Sequence, residues 1–514
     1  MNLSRLRNSA TCVLLFFLIT VNVGRGHVAA RQLANGEPSS TRTEDEKRSY
    51  RAAMEQADQK ITDEVKAHSE LMKNLEYLTT EIGARLTGSP QMNRASEWTL
   101  QRFKDYGVDA HLETTEIPHA WTRGNDVAQI TAPFAKTLEI RSVGWSKATD
   151  GPVSGSVVFL KANTPSEQEK QKSKLKGAII MMRPPADLPT DSEIPNNAYD
   201  AVIPPSRGVL RPGARARFRE RQQMMQTAAD AGAAIVLMDS AKPDSLFNMG
   251  SFSRYQPSRL PIAFLTHEDY SLVYRLLQRG PVTMKINLSG TFSPGPAKTS
   301  ITVAETKGSE HPEERVIVGG HLDSWDLGQG AVDNGTGAMA TLEAARALKA
   351  LGWKPKRTIT FILFTGEEEG GTGAELFVKN HEAEIPKMDA ALIHDLGTAK
   401  VFTIVLENQY ETVPIMQEIY GPLQELFGLD PLDTRYYGSS DHVEFLNKGV
   451  PAYFCLQKPD HYGQAHHSQT DTFDKVIPEE INQGAALLAA WAWNVSEMPR
   501  ALPHHPPSED REAE

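Results

Sequence analysis

Residues 319–337 read GGHLDSWDLGQGAVDNGTG, and residues 365–371 read TGEEEGG. The first stretch offers an imidazole, His321, and two carboxylates, Asp323 and Asp333. The second sets Glu367 and Glu368 side by side. Imidazole and carboxylate are the ligands zinc takes where it stays open to water. Such a site activates water and polarises a carbonyl, so these residues suit metal-assisted hydrolysis. A carboxylate that ligates a metal cannot easily shuttle protons as well. The paired glutamates therefore divide the work, Glu368 as ligand and Glu367 as general base.

These groups are useful only if the fold brings them together, and the flanking sequence says how. A strand-like run at 315–318 empties into His321, and a second at 358–364 empties into the glutamates. A third, at 390–393, ends in His394-Asp395, and a fourth, at 451–456, leads to His466-His467. Asp333 opens a helix whose expected buried stripe is Met339, Leu342, Ala345 and Leu348. Strands alternating with helices from 300 to 500 imply a mainly parallel mixed sheet covered on both faces, an α/β fold. Ligands in such sheets gather at the strand ends. Taken singly, each residue has an ordinary explanation: Asp333 could cap its helix and Glu367-Glu368 could be a solvated turn. Four strand ends delivering such groups together call for a common role.

Charge bookkeeping favours two zinc ions. Three ligating carboxylates and one hydroxide offset two divalent ions, and two neutral histidines give each ion one nitrogen. Asp333, short and fixed at a helix start, suits a position between the ions. Asp323 suits a supporting place, holding the tautomer of His321.

The ordered set GGHLDSWDLGQGAVDNGTG, FTGEEEGGTGA, IHDLG, SSDHVEF and HHSQTDT resembles the di-zinc exopeptidases, the family of bacterial leucyl aminopeptidases and glutamate carboxypeptidases. The likeness spans roughly residues 60–500 and is closest to the plasma glutamate carboxypeptidase branch. It implies that His321, Asp333 and Asp395 hold one zinc, and that Asp333, Glu368 and His467 hold the other. Asp333 would be the bridge, Glu367 the base, and the Asp333–Asn334 peptide cis. Where glutamate carboxypeptidase has an oxyanion-stabilising tyrosine, this chain has a histidine pair, so His466 takes that role; His461 and Tyr462 are close in sequence and are alternatives. The implied activity is release of terminal residues from short peptides or dipeptides, as an aminopeptidase or dipeptidase. A carboxypeptidase acting on N-blocked peptides, a single-zinc glutaminyl cyclase-like acyltransferase and a metal-free receptor-like module are the competing readings.

The rest of the chain frames this core. Within residues 1–30, Arg5 and Arg7 precede an apolar run too short to span a bilayer, and small residues follow, the pattern of a signal peptide. Export, to a periplasm or a secretory route, follows as the expectation. Of two cysteines, Cys12 lies in that signal, so the mature chain has only Cys455 and no internal disulfide. Residues 31–45 and 501–514 are expected to be disordered. The catalytic domain is expected to comprise 46–120 and 300–500. Between them, 121–299 is β-rich and resembles an inserted protease-associated domain. Within it Arg207, Arg211, Arg215, Arg217 and Arg219 suit a solvated segment or a clamp for a substrate anion, with Arg435 as the alternative clamp. A net charge of -11 argues against nucleic acid or an anionic membrane as partner. Short peptides are the expected partners, and a homodimer is left open. Elemental analysis of the dialysed mature protein should find about two zinc ions per chain; one or fewer overturns the two-ion reading.

Overall fold

The apolar runs ending in candidate ligands become neighbouring strands of one sheet in the computed structural model, which describes residues 43–160, 165–188, 198–202 and 223–506. Seven strands lie in the order Asp109–Ile117, Ala297–Thr306, Arg357–Phe364, His311–His321, Met388–Ile393, Ala452–Gln457 and Val401–Val405. The four from Arg357–Phe364 to Ala452–Gln457 are mutually parallel, and the ladders outside them are antiparallel. The parallel character expected from the sequence is therefore confined to the centre of a mixed sheet. Every residue of Arg357–Phe364, Met388–Ile393 and Ala452–Gln457 is buried, which requires cover on both faces. One face is covered by Pro90–Asp105, Thr336–Ala350 and Pro478–Ser496, the other by Thr372–Asn380 and His442–Asn447.

The Thr336–Ala350 helix corrects the expectation of a single buried stripe. Met339, Leu342, Ala345 and Leu348 are buried, but so are Thr341, Glu343, Ala344 and Ala347. A helix buried all round must pair its charges. Glu343 accepts from Arg346 Nε at 2.9 Å and Nη2 at 2.7 Å, and Arg346 Nη1 also donates to Glu64 at 2.9 Å. The start of this helix sits hard against the sheet because glycines face it. A Cβ on Gly337 would lie 2.1 Å from the carbonyl oxygen of His394, and one on Gly320 would lie 2.8 Å from the Gly337 carbonyl carbon. That close approach carries Asp333 to the strand ends.

The chain leaves this sheet after Ile117 and returns at Ala297, and these two residues are register partners in an antiparallel ladder. A two-residue extension, Trp121–Thr122 against Thr291–Phe292, continues the stalk. The intervening chain builds a second, eight-stranded sheet. Its strands Val153–Phe159, Ile179–Met181, Ile235–Asp239 and Ile262–Leu265 run parallel, with antiparallel strands at both sides. It has its own apolar core, including Ile179, Met181, Ile235, Leu237, Met284 and Ile286. Both sheets belong to one compact unit, residues 51–514. Apart from it, residues 43–50 open the Glu44–His68 helix with a reciprocal cap: the Thr43 N–H donates to Glu46 Oε2 at 2.6 Å, and the Glu46 N–H to Thr43 Oγ1 at 3.3 Å.

The expected disordered end does not begin at 501. Leu502 is buried, the His505 N–H donates to Gly449 O at 3.1 Å, and His504 Nε2 lies 3.0 Å from Met388 O. The expected signal, the five arginines from Arg207 to Arg219 and the residues past 506 lie outside the described residues. Asn494, in a glycosylation-like triplet, is buried and donates to Asp58 at 3.0 Å, so it is no surface acceptor. The glycine contact is testable. Gly337→Ala should cost about 1–3 kcal/mol in urea unfolding, whereas Gly280→Ala, where an added Cβ meets nothing within 4 Å, should stay within about 0.5 kcal/mol. Equal midpoints would show that the helix start has slack.

Candidate active site

Parallel neighbours end at the same edge of a sheet, and the candidate residues sit along that edge. His321 closes its strand, Asp395 lies two residues beyond Ile393, and Glu367-Glu368 follow the strand that ends at Phe364. Asp333 lies in the turn at Ala331–Gly335, and its peptide to Asn334 is cis, as expected. His466 and His467 follow the short Tyr462–Ala465 helix.

Their side chains converge. His321 Nε2 lies 3.0 Å from Asp395 Oδ1 and 3.4 Å from Asp333 Oδ1. His467 Nε2 lies 2.8 Å from Glu368 Oε2 and 3.7 Å from Asp333 Oδ2. Asp333 therefore turns one oxygen to each histidine. Ligand atoms of His321, Glu367 and Asp395 lie within 4.8 Å of one another, as do those of Asp333, His466 and His467. His466 stacks on His467 with ring centres 3.6 Å apart, its Nε2 3.9 Å from Asp333 Oδ2. All eight residues singled out in the sequence are thus in one cluster.

The surroundings fix ring and carboxylate orientation. His321 Nδ1 lies 3.1 Å from the main-chain oxygen of Asp323, which holds its proton and leaves Nε2 to face the site. Asp323 acts here through its backbone rather than its carboxylate. The carboxylate, 3.6 Å from Nδ1, instead accepts the N–H groups of Glu367 and Glu368, each at 3.3 Å, and so sets the glutamate turn. Trp325 Nε1 donates to Glu368 Oε2 at 2.7 Å. Asp471 accepts the N–H groups of Val332 at 2.6 Å and Asp333 at 3.2 Å. Beneath them Arg85, fully buried, donates to the carbonyls of Leu322, Gln329 and Gly330.

The electrostatics are those of a cation site. Burial, with neighbouring carboxylates adding to it, pushes Glu367 and Glu368 well above the usual carboxylate range. Burial holds His467 down at about 4 and His466 well below its ordinary value, so both rings are neutral. Neutral imidazoles and acidic oxygens are zinc's donors. Asp333 Oδ2 and Glu368 Oε1 are buried with no hydrogen-bond partner, which a protein tolerates where a metal satisfies them. The donor set fits zinc.

Several residues of the site were not legible as such in the sequence. Asp441, within the quoted SSDHVEF motif, is buried near Glu367 and Asp395 with both oxygens unpartnered. Asp471 stood in HHSQTDT and Arg85 in a loop, with no signal of their roles. Lys242 and Met249 come from the second sheet: Met249 O lies 3.0 Å from His467 Nδ1. Arg435 lies outside this cluster, its side chain 67% exposed and paired with Asp433 at 2.6 Å.

Comparison with known proteins agrees with this geometry. Residues 302–492 match peptidase family M28. Carboxypeptidase Q of Xenopus laevis is 30% identical over 444 residues, covering 85% of this chain and 88% of that protein. The crystal structure of a peptidase M28 precursor from Shewanella amazonensis superposes with a TM-score of 0.75 at 27% identity, covering 89% of this chain and 100% of that one. The zinc aminopeptidase BSAP of Bacillus subtilis shares the fold, with a TM-score of 0.60 at 20% identity over 82% of this chain and 93% of its own. Likeness along nearly the whole of carboxypeptidase Q, joined to zinc's own donors at the strand ends, places this chain in peptidase family M28, among the zinc metallopeptidases.

Proposed function

We propose that this protein is an exported exopeptidase that binds two zinc ions and removes the amino-terminal residue of short peptides, dipeptides included. The observation that carries the reading is the site's charge. Eight carboxyl groups gather there: Asp323, Asp333, Glu367, Glu368, Glu369, Asp395, Asp441 and Asp471. The cations among the described residues that act on them, apart from the histidines, are Arg85 and Lys242, and both turn their donors onto main-chain carbonyls. Even two divalent ions leave carboxyl groups in excess. Such a surplus favours a substrate ammonium, beside which a buried carboxyl group ionises more readily.

In this reading His321, Asp333 and Asp395 hold one ion, and Asp333, Glu368 and His467 hold the other. The two oxygens of Asp333, turned to opposite histidines, support its place as the bridge. When bound, zinc polarises the scissile carbonyl and makes water acidic enough to attack near neutral pH. Glu367, whose burial raises its proton affinity, takes the proton from the attacking water. It then passes that proton to the departing amine nitrogen, and the peptide C–N bond breaks. His466, neutral and stacked on His467, offers a ring N–H to the carbonyl oxygen as that oxygen gains charge.

Two further features of the proposal rest on the frame. The second sheet is read as a protease-associated-like insert that narrows the approach and limits substrates to short peptides; its contact with His467 supports that placement. Export rests on the signal-like start of the sequence. Among the described residues, no helix is long and apolar enough to cross a membrane.

Glu367→Gln should lower turnover by about 10²–10⁴-fold with zinc content near wild type. Glu368→Gln should instead reduce zinc content. A Glu367→Gln enzyme within tenfold of wild type would remove Glu367 from the base position. A panel of free-amine dipeptides against N-blocked peptides with a free carboxylate should show turnover on the first group alone. Turnover confined to the blocked peptides supports the carboxypeptidase reading, and cyclisation of amino-terminal glutamine with one zinc per chain supports the acyltransferase.

A further inference from the structure

His467 stands in an unfavourable place for a residue that must aim a ring. Its φ is 56°, in the left-handed region that side chains other than glycine avoid. Such a conformation persists where surrounding contacts over-determine it. Those contacts come largely from the second sheet, from the loop that follows the strand Ile235–Asp239.

That loop lies along the histidine loop and is bonded to it at three levels. At one end, the buried ammonium of Lys242 donates to three carbonyls of the turn: Gly463 at 3.0 Å, Gln464 at 3.3 Å, and His466. They lie at the end of the Tyr462–Ala465 turn, where a cation satisfies both hydrogen bonding and local charge, and Gln464 O also accepts the Ser468 Oγ–H at 2.6 Å. In the middle, the Met249 N–H donates to His467 O at 2.7 Å, and Met249 O lies 3.0 Å from His467 Nδ1. That second contact takes the Nδ1 proton and leaves the Nε2 lone pair facing Glu368 and Asp333. At the other end, the Gln469 side chain accepts the Phe247 N–H at 2.9 Å and donates to Ser245 O at 3.2 Å. The donor loop is itself held in unusual backbone: Ala241, Asp244 and Ser245 all have positive φ.

We infer that the inserted sheet is part of the metal-binding apparatus, and that Lys242 is a positioning residue which holds the histidine loop in the one conformation that presents His467 Nε2. The inference rests on His467 being a zinc ligand. Lys242 touches neither ion nor peptide. It works by holding the Gly463 and His466 carbonyls, which would otherwise turn toward water and let the loop relax out of its left-handed turn. The insert is then a structural requirement of the site, over and above any limit it sets on substrate size.

The experiment uses the full chain with Lys242→Met, Lys242→Arg, Gln469→Ala and His467→Phe. Zinc affinity is read by chelator competition, the absorption spectrum of the cobalt-substituted protein reports ligand geometry, and far-UV circular dichroism of the metal-stripped protein reports folding. Lys242→Met should weaken one of the two zincs by about 10- to 100-fold, the range for lost support of a ligand. It should also change the cobalt spectrum, lower kcat more than it raises KM, and leave the metal-stripped fold intact. Lys242→Arg, which keeps charge and donors, should recover part of the affinity. Wild-type zinc affinity in a folded Lys242→Met protein overturns the inference. If that variant does not fold, Gln469→Ala decides in the same way at the outer end of the contact. Should His467→Phe keep both zincs, the ligand assignment itself fails. If His467→Phe loses one zinc while Lys242→Met and Gln469→Ala keep both, the ligand stands and the positioning role falls.

Discussion

Packing many carboxyl groups into one buried edge of a sheet is the constraint to which the rest of this structure answers. Each carboxylate loses its hydration there, and at contact distances like charges repel strongly in a medium of low dielectric. The raised proton affinities of Glu367, Glu368, Glu369 and Asp441 all have burial as their first cause and a neighbouring carboxylate among the rest. Nothing in the apolar core repays that cost. It is met in layers: Arg85 below the turn, amide N–H groups directed at Asp471 and Asp323, the Trp325 indole on Glu368, and a cation at the centre. Metal affinity and folding stability are therefore coupled in this chain, because the folded state alone assembles the ligands.

The backbone that supports this edge follows from two simple requirements. Parallel strands deliver their ends to the same side, so four separate stretches of sequence can contribute to one cluster without long side chains. Asp333 and the histidine pair are exceptions: Asp333 belongs to a helix entry, and His466 and His467 follow a short helix. Only glycine at 320 and 337 lets that entry come close enough, and Asp471 then anchors the turn through the Val332 and Asp333 amides. The antiparallel pair Asp109–Ile117 and Ala297–Thr306 solves a different problem. Because its two free ends are adjacent, a whole second sheet can be placed between them without disturbing register in the first.

The parts legible in the sequence were those where local pattern and chemistry coincide. Continuous apolar runs leading to His, Asp or Glu located the C-terminal strand ends to within about three residues, and the type of each following residue named its chemistry. What the pattern could not carry was anything arising between elements. The Thr336–Ala350 helix reads as amphipathic, yet it is buried all round because the Pro478–Ser496 helix covers its outer side and Glu343 pairs with Arg346. Lys242 looks like a surface lysine in a polar loop; its role exists only once Gly463 to His466 lie beside it. Asp323 was placed in the right supporting position for a reason that proved half right. Its carbonyl, not its carboxylate, meets the His321 ring, a distinction no sequence spacing contains.

The two sheets also divide the labour of precision. In the proposed site, ligands carried on strand ends, such as His321, inherit their position from the hydrogen-bonded ladder and need little else. His467 has no ladder beneath it, for it follows a four-residue helix and a left-handed turn. A ligand on such a loop must be held from outside, and the main chain of Met249 on the second sheet meets it on both its ring and its carbonyl. Across the stalk, Arg123 grips Asp326 with two bonds of 2.7 and 2.8 Å and lies over the Trp121 ring, so the connection at the base is stiff as well. The ion pair at the base and the hydrogen bonds at the loop tie the second sheet to the first at two separate places. Under the proposed function, discrimination among peptides then falls to charge, where the surplus of carboxyl groups favours a free amine.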